Sequence, residues 1–197
     1  ASFTNNSPIT YKEYIGDNMA KLFKPKMPKI GVEGHWSSMK FSENILQDAL
    51  IRHVLGLTYL QMADIGEVFE ITEKFKSGTE WIDAWSQMAI TLEKRADESN
   101  SNATKESAYL RASTYWRVSL MYFNSTDDER LAEYSQNSLD CYHKYLEVSD
   151  IDATYVELPY ENTFMPAHFY KSPVAGDKAP LMILTPGRDT FAEDTAW

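Results

Sequence analysis

The residues with the clearest chemical potential lie near the C-terminus, where an apolar run leads into a glycine turn. Residues 180–185 contain four consecutive large apolar side chains, and Pro186-Gly187-Arg188 follows them directly. A buried strand that ends in a glycine turn commonly presents backbone N–H groups to a ligand or to a reacting oxygen. We therefore expect an oxygen-bearing group to bind at this turn.

Two arginines, Arg111 and Arg117, lie in a helical segment that is unusually rich in aromatic residues. A guanidinium group can orient a carboxylate or a carbonyl oxygen of a substrate, and it can equally pair with acidic residues on neighbouring helices. The sequence leaves both interpretations open and favours the structural one.

The remaining reactive residue types indicate neither a metal site nor a cofactor site. The histidines are too dispersed for metal-ligand spacing, and core or boundary positions explain them better. They are His35, His53, His143 and His168. The acidic residues Asp64, Glu67, Glu70 and Glu73 recur at helical spacing, which is typical of a solvated helix face. The single cysteine, Cys141, lies in a helical pattern and is expected to be buried and inert.

Composition limits the classes of partner. The 197-residue chain has a formal net charge of −10, which argues against nucleic acid and anionic membrane surfaces as partners. No apolar stretch approaches the ~20 residues that cross a bilayer. We expect no nucleic-acid or membrane partner, and a cytoplasmic location is favoured.

The elements that must position these residues are predicted as helices first and strands last. Hydrophobic periodicity predicts six helices, and a polar loop at residues 97–104 separates the fourth from the fifth. Two of the helices are expected to open with capping boxes. The predicted helices cover residues 8–23, 41–57, 62–75, about 80–96, 109–123 and about 129–148, with the capping boxes at 77–80 and 126–129.

After residue 152 the hydrophobic period changes from 3.6 to 2, which predicts a β-hairpin. Its strands meet at Glu161-Asn162, and Pro166 in the returning strand marks an edge or a bulge. Residues 180–185 then predict a strand that is covered on both faces. A hairpin and one buried strand cannot close a core, so we expect further strands from the same polypeptide or from a second chain.

Five motifs between residues 81 and 190 resemble, in register, a family of capped α/β hydrolases. This family is akin to 2,6-dihydroxypseudooxynicotine hydrolase, the fermentation-respiration switch protein and the fungal hydrolases that shorten polyketide pigment precursors. The motifs are Trp81-Ile-Asp-Ala-Trp85, Tyr109-Leu-Arg-Ala-Ser-Thr-Tyr-Trp-Arg117, Val156-Glu-Leu-Pro-Tyr-Glu161, Met165-Pro166 and Leu184-Thr-Pro-Gly-Arg-Asp-Thr190. The resemblance implies an α/β protein. It also implies that residues 1–150 are an all-α N-terminal cap and that residues 151–197 are the first strands of the hydrolase sheet. We expect that sheet to be incomplete in this chain, which would stop before the nucleophile elbow.

The same resemblance implies a serine hydrolase with a Ser-Asp-His triad that acts on an ester, an amide or an activated C–C bond. Its substrate is expected to be small and apolar or aromatic. Backbone N–H groups of Gly187 and Arg188 would be oxyanion donors, because Pro186 replaces the first glycine of the family's Gly-Gly-x-Asp-Ser turn and has no N–H. Arg111 and Tyr115 would bind the substrate beneath the cap. The resemblance implies no cofactor.

The G-x-S-x-G nucleophile motif is absent from these 197 residues. We therefore expect the catalytic half of the sheet on the same polypeptide or on a second chain, and we expect this chain alone to be inactive. A homodimer is compatible with the sequence.

Two alternatives remain open. The chain could be a non-catalytic helical interaction protein whose strands extend a partner's sheet, or a hydrolase fold used for non-hydrolytic biosynthetic chemistry. A G-x-S-x-G motif followed by an acidic residue and a histidine, in a continuation or a companion chain, would separate the hydrolase from the interaction protein.

Overall fold

The computed structural model describes residues 40–76, 78–122, 127–174, 176, 178–187 and 193. Within these residues, α-helices come first and a two-stranded antiparallel sheet follows, so the predicted helix-then-strand order is confirmed. The elements are α1 (Ile45–Gly56), a 3-10 turn (Leu57–Leu60), α2 (Ile65–Lys76), α3 (Trp81–Glu98), α4 (Asn102–Leu120), α5 (Arg130–Val148), β1 (Ala153–Tyr160) and β2 (Thr163–Tyr170). The helix predicted at residues 8–23 lies outside the described residues.

Side-chain caps fix where several helices begin. The Asn44 carboxamide oxygen accepts hydrogen bonds from the backbone N–H groups of residues 46 and 47, at 3.0 and 3.2 Å. The Asp64 carboxylate does the same for residues 66 and 67 at the start of α2, at 2.8 and 3.1 Å. Each cap satisfies N–H groups that have no partner within the helix.

At the two predicted capping boxes, the glutamates make no capping hydrogen bond. Glu80 and Glu129 occupy the N-cap positions of α3 and α5, and neither side chain makes a capping hydrogen bond. Ser77 and Thr126, the residues expected to cap, lie outside the described residues. A glutamate at the N-cap still places negative charge near the positive end of the helix dipole.

Helix α4 contacts both α3 and α5, and it is the most buried helix of the described chain. Eleven of its nineteen residues are buried. Small residues permit this close packing, and Ser113 of α4 and Ser138 of α5 bond reciprocally across the contact. The Ser113 hydroxyl donates to the Ser138 carbonyl at 2.8 Å, and the Ser138 hydroxyl donates to the Ser113 carbonyl at 2.9 Å.

The loop predicted at residues 97–104 is shorter than expected. Helix α3 continues to Glu98 and α4 begins at Asn102, so only three residues connect them. The Ser101 hydroxyl accepts a hydrogen bond from the Thr104 N–H at 3.4 Å, which starts the new helix inside the polar tract.

The predicted hairpin is confirmed. Strands β1 and β2 pair without interruption from Ala153 opposite Tyr170 to Tyr160 opposite Thr163. Pro166 lies opposite Glu157 in this continuous register, so it marks no bulge. It is tolerated because both strands of a two-stranded sheet are edge strands.

The apolar run after the hairpin does not form a strand in the described chain. Its side chains are exposed by 71%, 76%, 78% and 53% at Leu181, Met182, Ile183 and Leu184. The described sheet contains only β1 and β2, so no neighbouring strand offers this run hydrogen bonds. Within the described residues, the expectation of a doubly covered strand is therefore not met.

No helix within the described ranges has both the length and the apolar character needed to cross a bilayer.

Candidate functional site

A hydrogen-bonded network around Glu67 brings together two residues that the sequence singled out. Arg111 and Tyr115 are four residues apart on α4, so their side chains lie on the same face of the helix. Arg111 Nε donates to Glu67 Oε2 at 2.8 Å, and the Tyr115 hydroxyl donates to the same oxygen at 2.8 Å. The Tyr115 oxygen also accepts the backbone N–H of Asp64 at 3.0 Å.

The network is largely shielded from water. The Arg111 and Glu67 side chains are only 14% and 16% exposed, and Tyr115 is fully buried against Trp85, with ring centroids 5.4 Å apart. Burial and the nearby Glu67 carboxylate raise the pKa of Tyr115 well above its usual value. The hydroxyl therefore remains protonated and can act as a donor at any physiological pH.

Arg111 has a further contact and borders open space. One of its terminal nitrogens, Nη1, donates to the Ser107 hydroxyl one turn earlier on α4. The side chain also lines an open cavity of about 230 Å³. Arg117, the other arginine of this helix, is buried. These contacts place Arg111 in an ion pair at the edge of a cavity, and its predicted substrate role stays a prediction.

The predicted oxyanion turn lies in a separate segment. Gly187 is exposed and ends the described stretch 178–187, in which the apolar run has no regular secondary structure. Arg188 lies outside the described residues. The roles of Gly187 and Arg188 stay predictions as well.

A second open cavity, of about 400 Å³, is bordered by aromatic rings near the start of α3. The rings of Phe75 and Trp81 stack at 5.4 Å with an interplanar angle of 7°. Trp81 and Tyr122 stack at 5.4 Å with an angle of 30°. The Trp81 indole N–H donates to the Val118 carbonyl at 2.8 Å, which holds this aromatic group against α4.

The structure also contains a cluster that sequence reasoning missed, between α5 and the hairpin. His143 Nε2 lies 3.2 Å from His168 Nε2, and the hydroxyl groups of Tyr142 and Tyr170 are 2.8 Å apart. Glu193 Oε1 lies 3.8 Å from His168 Nδ1. Burial and the neighbouring His143 lower the pKa of His168. The sequence signal was the alternation that places His168 and Tyr170 on one face of β2.

The described residues offer little to a metal ion. No three histidine, cysteine or carboxylate side chains among them converge as a ligand set. Cys141 is fully buried, and burial, together with the charge of Glu93, raises the pKa of its thiol. The thiol is therefore a poor nucleophile in the folded chain.

No family profile matches the chain, but several proteins named as hydrolases are similar to it. The α/β hydrolase xenA of Xenoacremonium sinensis is 28% identical over 166 residues, which are 78% of this chain and 38% of that protein. The 20-hydroxy-prefusarin hydrolase of Gibberella moniliformis is 27% identical over 72% of this chain and 36% of its own length. Hydrolase acrC of Aspergillus aculeatus is 30% identical over 67% of this chain and 36% of its own length.

These relatives confirm the resemblance that the sequence motifs indicated. The helix-then-strand architecture agrees with the first part of an α/β hydrolase in which a helical region precedes the sheet. The chain is thus similar to fungal α/β hydrolases and spans little more than a third of the length of those it matches.

Proposed function

We propose that this chain supplies the helical cap and the opening strands of a serine-dependent α/β hydrolase. The observation that carries the proposal is the similarity to three proteins named as hydrolases, over 67% to 78% of this chain. These 197 residues contain no G-x-S-x-G motif, so the nucleophile and its partners would lie in the remainder of the hydrolase.

Exposed apolar surface supports the existence of such a remainder. On the hairpin, Leu158 and Met165 lie opposite each other and are each 47% exposed. Phe169, on the same face of the hairpin by strand alternation, is 48% exposed. The run at 181–184 is more exposed still. The outer face of the hairpin is the one that carries Leu158, Met165 and Phe169. Additional strands beside the run at 181–184, with helices over this outer face, would bury both surfaces.

The chemistry would follow the usual division of roles in serine catalysis. The serine hydroxyl attacks the substrate carbonyl carbon, the histidine takes the hydroxyl proton, and the carbonyl oxygen becomes an oxyanion. The N–H of Gly187 or Arg188 would stabilise that oxyanion. When the tetrahedral species collapses, the bond to the leaving group breaks and the histidine returns the proton to it. Water then releases the acyl group from the serine by the same steps.

Several features of the helical region support a role in binding a small apolar or aromatic substrate. The aromatic cavity near Trp81 can accept a flat ring. It lies at the opposite end of α3 from the cavity that Arg111 borders, so the two cavities are alternative places for a small substrate. Arg111 borders open space while Glu67 holds its guanidinium, so it can offer a donor in a fixed direction. Tyr115 would act through Glu67, as a positioning residue.

An activity-based probe tests the main proposal. The complete hydrolase and the 197-residue chain are each treated with a fluorophosphonate, and intact mass and hydrolysis of small activated esters are measured. We expect one phosphonylated serine and turnover in the complete protein, and neither in the chain alone. Robust turnover by the 22.6 kDa chain, or an unlabelled complete protein, would refute the proposal.

A structure of the phosphonylated complete protein tests the oxyanion assignment. We expect the N–H of Gly187 or Arg188 within about 2.7–3.1 Å of the phosphonyl oxygen. If both N–H groups point away from the modified serine, the assignment of this turn is wrong.

A further inference from the structure

The open cavity that Arg111 borders is lined by basic, hydroxyl-bearing and small apolar side chains. Its lining residues are Arg95, Ala103, Thr104, Ser107, Ala108 and Arg111, and none of these described residues carries a carboxylate. With a volume of about 230 Å³, the cavity has room for a small organic molecule. The lining is basic although the formal net charge of the chain is −10.

Arg95 supplies positive charge that this part of the structure does not neutralise. It lies in the last turn of α3 and is exposed, and no carboxylate of the described residues pairs with it. The preceding residue shows the contrast, because Lys94 pairs with Glu98 at 3.8 Å. Arg95 is therefore available to an anion from solution.

Arg111 supplies a second guanidinium whose direction is already fixed. Its Nε is bonded to Glu67, at 2.8 Å, and its Nη1 to Ser107. Among the described contacts its Nη2 has no acceptor. A fixed donor loses little conformational entropy when a ligand binds, which favours affinity.

We propose that this cavity binds a small organic carboxylate, with Arg95 and Arg111 as the charged donors and the Thr104 hydroxyl beside them. Ala103 and Ala108 offer an apolar surface to the body of the acid. Since Glu67 neutralises part of the Arg111 charge, a monoanion fits the cavity better than a more highly charged group. This site shares Arg111 with the proposed function. The test of this site measures binding and not turnover, so its failure would not refute the proposed hydrolase function, and the reverse is also true.

Benzoate and benzamide make a matched pair of probes, because they have nearly the same shape and only benzoate is charged. Thermal unfolding of the full 197-residue chain is followed by tryptophan fluorescence at low protein concentration and constant ionic strength. We expect the melting temperature to rise with benzoate and to saturate, as a ligand bound to the folded state requires. Benzamide should have no effect. No saturable shift with benzoate, or an equal shift with benzamide, would overturn the proposal.

Charge-matched variants test the location. Arg95→Gln removes an exposed group, so the fold should be retained, and we expect an apparent benzoate dissociation constant about tenfold weaker. Lys94→Gln removes the same charge one residue away, outside the lining, and should leave the constant unchanged. Equal weakening by both variants would indicate a general charge effect, and an unchanged Arg95→Gln would exclude this cavity. Stabilisation by inorganic phosphate in place of benzoate would overturn the assignment to a carboxylate.

Discussion

The Tyr115 hydroxyl joins two helices through one buried oxygen. It donates to Glu67 at 2.8 Å and accepts the Asp64 N–H at 3.0 Å, so the start of α2 is attached to the middle of α4. Tyr115 itself has no exposed surface, so water does not reach its hydroxyl group while the two helices stay packed. The oxygen therefore contributes to stability beyond the packing of the ring.

Replacing Tyr115 by phenylalanine should destabilise the chain. The ring still fills its place against Trp85, but the Asp64 N–H and one lone pair of Glu67 lose their partner. We expect the free energy of unfolding to fall by about 1–3 kcal/mol in a urea titration. Tyr59→Phe is the matched control, because Tyr59 is 91% exposed, and it should change stability little. An equally small effect at Tyr115 would show that the hydroxyl is not a structural link.

His168 gives the chain a predictable dependence on pH. Burial and the His143 ring lower its pKa in the folded chain from the usual value of 6.5. The groups that face it are His143 and Tyr142 of α5, Tyr155 and Tyr170 of the hairpin, and Glu193. Between pH 6.5 and the lower folded-state pKa, the unfolded chain binds more protons. The contribution of His168 to stability is therefore complete above pH 6.5 and is lost as the pH falls below it.

We expect the His168→Gln variant to lose that part of the pH dependence. Melting temperatures are compared from about pH 7.5 to about pH 5.5, across the ordinary titration range of histidine. The slope of the variant should be smaller than that of the parent chain. His53→Gln, an exposed substitution on α1, should leave the slope unchanged. If the slope of His168→Gln is as steep as that of the parent chain, or steeper, His168 is not the source of this pH dependence.

At the scale of elements, the reciprocal serine bonds define how closely α4 and α5 approach. Ser113 and Ser138 are both buried, and each hydroxyl donates to the other residue's carbonyl. Residues larger than serine at this contact would force the helices apart.

Single Ser113→Ala and Ser138→Ala substitutions should each cost about 1 kcal/mol of unfolding free energy. The double variant should cost less than the sum of the two, because the hydroxyl groups also lie 3.4 Å from each other. Chemical denaturation of the four proteins of the cycle measures this coupling. Strict additivity would show that the two bonds are independent.

Elements with one buried face were predictable from the sequence. In α3 the apolar residues Trp81, Trp85 and Leu92 recur at helical spacing, which predicts one buried face, and all three are buried. The same spacing in α1 predicts a buried face that includes Ile45 and omits Ile51, and this prediction is partly wrong. Ile45 is 87% exposed, while Ile51, which that face did not include, is fully buried. When a short helix has two apolar stripes, its sequence does not show which stripe packs against the neighbouring helices.

The network at the candidate site could not be predicted in the same way. The sequence indicated a solvated acidic face on α2, which is wrong for Glu67 because that residue pairs with Arg111. The two residues are 44 positions apart, so their contact depends on how α2 and α4 pack. The same holds for His143 and His168, which a helix and a strand bring together. Periodicity describes one element at a time and carries no information on such pairs.

At the scale of the whole molecule, exposed apolar surface has a physical cost when the chain is alone. The run at 181–184 presents four large side chains in succession, and the outer face of the hairpin is also apolar. Such surface promotes association with other molecules.

We expect the isolated chain to self-associate as its concentration rises, measured by size-exclusion chromatography with light scattering. The double substitution Leu181→Ser with Ile183→Ser should shift it towards the 22.6 kDa monomer. Val174→Ser is the control, because Val174 is 92% exposed but lies outside the run. A parent chain that stays monomeric at every concentration, or one that Val174→Ser shifts equally, would contradict this assignment.

The buried thiol of Cys141 has a practical consequence for measuring motion. It is the single cysteine of the chain, it has no exposed surface, and burial raises its pKa. A thiol-specific alkylating reagent can therefore react only during moments when α5 separates from its neighbours. At high reagent concentration, one alkylation event per molecule, counted by mass spectrometry, records how often that separation occurs. The alkylation rate of this one sulfur atom thus reports the rate at which the core opens, and no introduced label is needed.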